Sequence, residues 1–171
     1  MENKLREFFN NNFESAVIRE ELFRGDLSFY VKAEALFDIC SALSDDDNLA
    51  FKLLSDITSL DWLNHENGKA GRYEVVYNLY SLKNHYRFFI KVPLPEDNPT
   101  VKSVVDIWAG ADWMEREVYD LMGIIFQGHP NLVKIVTPDE LDGHPLRKDY
   151  PLTYEEPQFN WNKDDPPEVI K

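Results

Sequence analysis

With one cysteine, Cys40, the chain cannot close an internal disulfide. Iron–sulfur clusters take roughly four thiolates and structural zinc sites usually at least about two, so neither can be built on this chain's thiols alone. Cations are also scarce, 18 Lys and Arg against 31 Asp and Glu, for a formal net charge of −13. That field repels a polyanion, and the basic residues are scattered, Arg147-Lys148 being the one adjacent pair, so nucleic-acid binding is excluded. No stretch approaches the roughly 20 apolar residues of a membrane-spanning helix. The opening Met1-Glu2-Asn3-Lys4 has neither the apolar run of a secretory signal nor Arg/Ser-rich transit character, and the expectation is a soluble intracellular protein. The seven glycines are dispersed, leaving no Gly-rich phosphate loop, and no G-x-S-x-G elbow occurs.

What is present suffices for one domain: 171 residues, 43% hydrophobic and 13% aromatic. All ten prolines lie at position 93 or later, which divides the chain into two regimes. In the first, Leu5, Phe8, Phe9 and Phe13 fall on one helical face. Residues 16–23 and 27–31 read as strands joined by Arg24-Gly25-Asp26. Leu36, Ile39, Cys40 and Leu43 fit the i, i+3, i+4, i+7 helical template, and Asp45-Asp46-Asp47 reads as a solvated loop. The alternation of Leu49, Phe51 and Leu53 predicts a strand. Residues 72–82 and 86–92 form the strongest β signal, a hairpin through Lys83-Asn84-His85. The order α-β-β-α-β-β-β-α predicts an α+β fold, a small mixed sheet with helices packed on one face.

Beyond the proline-bearing loop at 93–99, residues 104–108 read as extended and 111–122 as a helix stopped by Gly123. Seven prolines between Gly128 and Lys171 argue for a long extended segment. The expected division is an α+β domain over 1–127 and a partner-wrapping segment over 128–171, with Tyr154, Phe159 and Trp161 as anchors.

On the late helix, Met114, Val118, Leu121 and Met122 form the apolar stripe. Asp112 and Asp120 each stand four residues from Arg116. Two readings stand: a solvated face with weak ion pairs, or an Arg caged by carboxylates at a protein interface. Glu115 and Glu117 are two apart and diverge on a helix, so they cannot share one bond as an acid–base pair. His129 and His144 each sit between Gly and Pro. With no H-E-x-x-H motif, they read as turn residues whose rings cap backbone groups, and not as a metal site. Cys40, on an apolar helix face, reads as a small core residue and not a nucleophile.

Glu115-Arg116-Glu117-Val118-Tyr119-Asp120-Leu121-Met122-Gly123-Ile124, then Phe126, Gly128-His129-Pro130 and Leu132, resembles the signature of the 30 kDa subunit family of respiratory complex I, the NADH-quinone oxidoreductase. Gly143-His144-Pro145-Leu146-Arg147-Lys148-Asp149-Tyr150-Pro151 resembles the family's second signature, in the expected order and spacing. Residues 73–81 and 98–103 are similar as well, so the likeness runs from about residue 50 onward. One departure is Val133, where the family usually has a basic residue; Lys134 follows it.

The resemblance implies a cofactor-free, non-catalytic subunit in the peripheral arm of a proton-translocating NADH:quinone oxidoreductase. Iron–sulfur clusters, FMN and quinone are expected in partner subunits. The implied partners are the quinone-site large subunit and the iron–sulfur subunits, with the membrane arm contacted indirectly. The implied place is the cytoplasmic side of a bacterial inner membrane, or the stromal side if plastid-encoded. The expected subunit interface comprises Glu115, Arg116, Glu117, Tyr119, Asp120, Gly128, His129, Pro130, Lys134, Gly143, His144, Pro145, Arg147, Lys148, Asp149 and Tyr150, with Arg116 and Arg147 making charge-assisted bonds that fix it. Two alternatives stay open: the equivalent subunit of a ferredoxin- or F420-linked dehydrogenase or energy-converting hydrogenase, and a free-standing interaction module.

Overall fold

A computed structural model describes residues 1–65 and 70–151; the expected anchors Tyr154, Phe159 and Trp161 lie outside the described residues. Helix α1 (Glu2–Asn12) and a 3-10 turn (Glu14–Ala16) lead into strands β1 (Val17–Phe23) and β2 (Asp26–Val31). Helix α2 (Leu36–Asp45) follows, then β3 (Leu53–Asp61), β4 (Tyr73–Ser81) and β5 (Tyr86–Leu94). The sheet order is β1-β2-β5-β4-β3, antiparallel except for the parallel β2–β5 pair, so the mixed sheet expected from the sequence is present. A second, two-stranded parallel sheet joins β6 (Thr100–Lys102) to β7 (Ile125–Gln127), with helix α3 (Ala111–Met122) as the crossover that a parallel pair requires.

The alternation in β5 decides which face is inside. Phe88, Ile90, Val92 and Leu94 are buried, as are Tyr73, Val75, Tyr77 and Leu79 of β4. They share one core with Leu5 and Phe9 of α1, with Leu36, Ile39, Cys40 and Leu43 of α2, and with Val118 and Met122 of α3. Phe9 stacks on Phe29 with ring centroids 4.0 Å apart, and Phe51 meets Phe88 edge-on at 4.6 Å. The opposite face of the sheet is not covered by these helices. It carries an open groove of about 650 Å³ between Phe23, Leu60, Trp62, Phe89 and Lys91.

Two sequence expectations are corrected. The strand at 49–54 begins only at Leu53, because Asp46 caps the end of α2. Its carboxylate accepts from the Asn48 and Leu49 N–H groups at 2.7 and 3.0 Å, and Ala50 takes a φ of 49°. Asp46 thus ends the helix with its backbone N–H on the Ala42 carbonyl and builds the following turn with its carboxylate, so it is not part of a merely solvated loop. Leu49 and Phe51 are buried in that turn, whereas Leu53 is exposed and Leu54 points inward. Residues 104–108 are not extended: the Ile107 and Trp108 N–H groups both reach the Val104 carbonyl at 3.0 Å, forming a turn that delivers the chain to α3.

Candidate functional site

Helix α3 and the turns after it hold most of the expected interface residues. The last four carbonyls of a helix lack partners within it. Here the Tyr119 carbonyl takes the Gly123 N–H at 2.8 Å and the Leu121 carbonyl takes the Leu146 N–H at 3.0 Å. The Asp120 carbonyl takes the His144 Nδ1–H at 2.9 Å, and the Met122 carbonyl takes the Arg147 Nε–H at 2.7 Å. The second Gly-His-Pro turn and the Leu146-Arg147 pair after it thus form the C-terminal cap of α3, and the Arg147 cation sits at the negative end of the helix dipole. Gly123 adopts a φ of 72°, and a Cβ there would collide with the Arg147 guanidinium and the His144 ring. Burial, with Arg147 and Lys134 nearby, holds His144 below the usual histidine value despite its bond to the Asp120 carbonyl.

The first Gly-His-Pro motif grips the other end of the helix. His129 Nδ1 accepts from the Asn131 N–H at 3.0 Å, which places the ring proton on Nε2. That nitrogen lies 3.2 Å from the Asp112 carbonyl and 3.3 Å from the Asp112 carboxylate. Both histidines therefore cap backbone groups, as their Gly-His-Pro settings predict. Gly128 and Gly143 supply the left-handed turns, with φ of 84° and 88°.

Two carboxylates expected at the interface are used inside the chain. Asp120 is fully buried. Its Oδ2 accepts from the Ile135, Val136 and Thr137 N–H groups at 2.9, 2.7 and 2.9 Å, and its Oδ1 from the Thr137 hydroxyl. Burial alone would raise this carboxyl, but the hydroxyl and the amide nest outweigh it and hold the group below the usual range. Glu115 is fully buried too, accepting from the Ser103 hydroxyl at 2.6 Å and the Val104 N–H at 2.8 Å. Neither carboxylate is presented to a partner in this conformation, which corrects the expectation for these two residues.

The caged-arginine reading is corrected as well. Arg116 Nε donates to the Val133 carbonyl at 3.2 Å, and the guanidinium lies 5.1 Å from the Trp113 ring centre. Asp112 and Asp120 are turned to other partners. Lys134 closes its own loop by donating to the Leu141 carbonyl at 2.5 Å and the Pro138 carbonyl at 3.5 Å. Tyr119 and Pro145 are half-buried, and Tyr150 packs over Gly143. Glu117, Pro130 and the Lys148 side chain face solvent, although the Lys148 N–H bonds Asp61 at 3.0 Å.

Residues that no sequence motif marks hold the end of the described segment. Arg72, 8% exposed at its side chain, pairs with Asp61 at 3.0 Å, with Asp149 at 2.8 Å and with Glu96 at 2.7 Å. The 128–151 segment thus lies over its own domain at both α3 and the end of β3. Among the described residues no group of three or more His, Cys, Asp or Glu is placed to hold a metal ion. Burial pushes the Cys40 thiol far above its ordinary value.

Glu115 gives a pH-dependent prediction. Burial raises its carboxyl, while Ser103 and Val104 pull it back. Between the unfolded value near ~4.3 and the raised folded value, the native state binds more protons, so this group lowers stability as pH rises. Glu115→Gln, which keeps both contacts without charge, should therefore gain on the wild type between about pH 4.5 and 7.5. Glu115→Ala should cost about 2–3 kcal/mol by stranding buried donors. Urea unfolding at both pH values reads this, and parallel profiles for wild type and Glu115→Gln would refute it.

Residues 29–156, which include α3, both Gly-His-Pro turns and the Arg72 cluster, match the model of the respiratory-chain NADH dehydrogenase 30 Kd subunit. The chain belongs to that family. The resemblance carried by residues 115–151 is borne out by relatives as well. The corresponding NADH-quinone oxidoreductase subunit of Roseiflexus sp. (strain RS-1) is 45% identical over 149 residues, covering 87% of this chain and 83% of the relative. The solved trypsin-resistant fragment (1-134) of Nqo5 superposes with a TM-score of 0.66 at 32% identity, covering 75% of this chain and 98% of the fragment. A chain of the membrane-bound sulfane sulfur reductase, an archaeal respiratory membrane complex, superposes with a TM-score of 0.72 at 25% identity, covering 89% and 86% of the two chains. In this 30 kDa-family chain, no helix among the described residues is long and apolar enough to cross a membrane. The family signatures acquire a physical meaning here: the first is a helix with its buried acids, and the second is the cap that closes it.

Proposed function

We propose that the chain is a non-catalytic, cofactor-free subunit of the peripheral arm of a proton-translocating NADH:quinone oxidoreductase. It packs against the quinone-site large subunit and iron–sulfur subunits, on the cytoplasmic side of the membrane, and holds their electron-transfer geometry. The observation that carries this reading is how the polar groups of the signature segment are used. Glu115, Asp120, His129, His144 and Arg147 all bond groups of their own chain, which makes a rigid ledge of α3 and its turns. Groups held in this way position a surface, which is the task of a non-catalytic subunit. Membership of a family of NADH dehydrogenase subunits supports the donor.

A second reading has support of its own. The match to a chain of an archaeal sulfane sulfur reductase favours the equivalent subunit of a respiratory complex with a different donor or acceptor. A tagged pull-down of the full chain from mildly solubilised native membranes, with mass spectrometry of the eluate, separates the two. Cluster-rich and multi-spanning subunits in fixed stoichiometry are the expected result, and an accompanying flavoprotein assigns NADH as donor. Recovery of the chain alone, while other membrane complexes stay intact, would overturn both readings in favour of a free-standing module.

A further inference from the structure

Along one side of α3, charge and polarity are sorted by direction. Three cations beside the helix are tied to backbone carbonyls, Arg116 to Val133, Lys134 to Pro138 and Leu141, Arg147 to Met122, while Lys148, beside Met122 and Leu146, stays exposed. The acids Glu117, Asp139 and Glu140 turn outward, exposed, and none has an ion pair among the described residues. Asp139 and Glu140 stand at the tip of a turn closed by the Leu141 N–H and the Pro138 carbonyl at 3.2 Å.

Beside these acids stand exposed apolar side chains. Trp113 is 64% exposed, Val133 46% and Val136 58%. Arg116 ties Trp113 to Val133, and Asp120 holds the amides of residues 135–137, so segment 133–137 runs beside the helix as part of the same face. Trp113 and Asp120 are seven residues apart, about 10 Å along a helix, which sets the length of the patch. A large exposed aromatic on a backbone this firmly held loses little entropy on docking.

We infer that this face docks on a basic, apolar-lined surface of a partner protein chain, with Trp113 entering a pocket and Glu117, Asp139 and Glu140 meeting Lys or Arg at its rim. The inference rests on the subunit reading above and deepens it by assigning the chemistry of the partner. Charge complementarity selects the occupant: a second copy would bring the same acids against themselves, and an anionic lipid surface would be repelled.

The test is competitive incorporation. Wild-type and variant full chains carrying different tags are expressed together in the native host, and their ratio is read in the purified membrane complex. Trp113→Ala should be depleted about thirtyfold, the scale of a hot-spot residue. The triple variant Glu117→Lys, Asp139→Lys, Glu140→Lys should be depleted at least about tenfold. Both should keep the wild-type unfolding midpoint, since the replaced side chains are exposed. A control with the same change in net charge, Glu7→Lys, Glu14→Lys, Asp47→Lys, should incorporate at parity. If the α3 variants incorporate at parity, or the control is depleted as much, the inference falls while the subunit reading stands. If the isolated wild-type chain dimerises and Trp113→Ala abolishes the dimer, the face belongs to a second copy and the inference is overturned. If the wild type brings down no membrane subunits, it is the subunit reading that has failed.

Discussion

Asp120→Ala is expected to lower the unfolding free energy by about 3 kcal/mol, and Asp120→Asn by roughly half that. One carboxylate here accepts three consecutive backbone N–H groups and a hydroxyl, near the C-terminus of α3 where the helix dipole disfavours an acid. The amide nest compensates, and it also fixes segment 133–137 against the helix. Alanine leaves those donors with no acceptor at a part-buried junction, each costing up to about 1–3 kcal/mol before water re-enters. Asparagine can still offer its oxygen to the nest and its NH₂ to the Thr137 oxygen, losing only the assistance of the charge. Urea unfolding gives the magnitudes, and thermal unfolding should show a drop of about 6–12 °C for alanine. A change below about 0.5 kcal/mol for Asp120→Ala would mean that the nest does not hold the segment. Because the Asp120 carboxyl lies below its ordinary range, its contribution is present above the unfolded value of about 3.9. That contribution is lost as pH falls through the folded value. In acid the gap between wild type and Asp120→Ala should therefore narrow.

Asp120 also shows where a single sequence stops being informative. The helix 111–122, its Gly123 stop and the β4–β5 hairpin are legible because a local period or one residue's backbone preference encodes each of them. Glu115 carries a readable signal of its own. Ala111, Glu115, Val118 and Met122 follow i, i+4, i+7, i+11, which places this acid on the buried stripe. Asp120 lies off that stripe and is buried only because residues 133–137 fold over it, a contact no helical period contains. The turn at Leu49 and Phe51 is hidden for a related reason: apolar alternation looks the same in a strand and in a buried cap. The outward acids and inward cations beside α3 have one composition whichever way they point, so only the fold distinguishes a solvated face from a docking surface.

Long-range electrostatics are the least legible feature, and they carry the other large effect. Arg72→Ala should cost about 3–5 kcal/mol, the scale of breaking a buried ion pair from one side. Its guanidinium contacts Asp61 with both Nε and Nη2, at 3.1 and 3.0 Å, while reaching Asp149 and Glu96. The Asp61 side chain is 2% exposed, so removing the arginine strands a desolvated charge. Burial acts to raise the Asp61 carboxyl, but Arg72 and the Lys148 and Leu63 amides bring it down to about 2. A depressed folded value stabilises above the unfolded pKa of about 3.9 and ceases to do so as pH falls toward about 2. That interval corresponds to between about 2 and 3 kcal/mol, most of it already lost at pH ~2.5, so the deficit of Arg72→Ala at pH ~7 should shrink by about 2 kcal/mol there. Arg72→Lys should recover only part of the loss, because an ammonium cannot present the bidentate fork. The second consequence is local. Asp149 and the Lys148 N–H are tied to this cluster, so without Arg72 the chain after the α3 cap loses its hold on the end of β3. Limited proteolysis of full-length Arg72→Ala should then cut near Lys148 faster than in the wild type, under conditions where both are folded. Equal cleavage rates, with a stability loss confined to the global transition, would show that the cluster braces the core without directing the chain's exit.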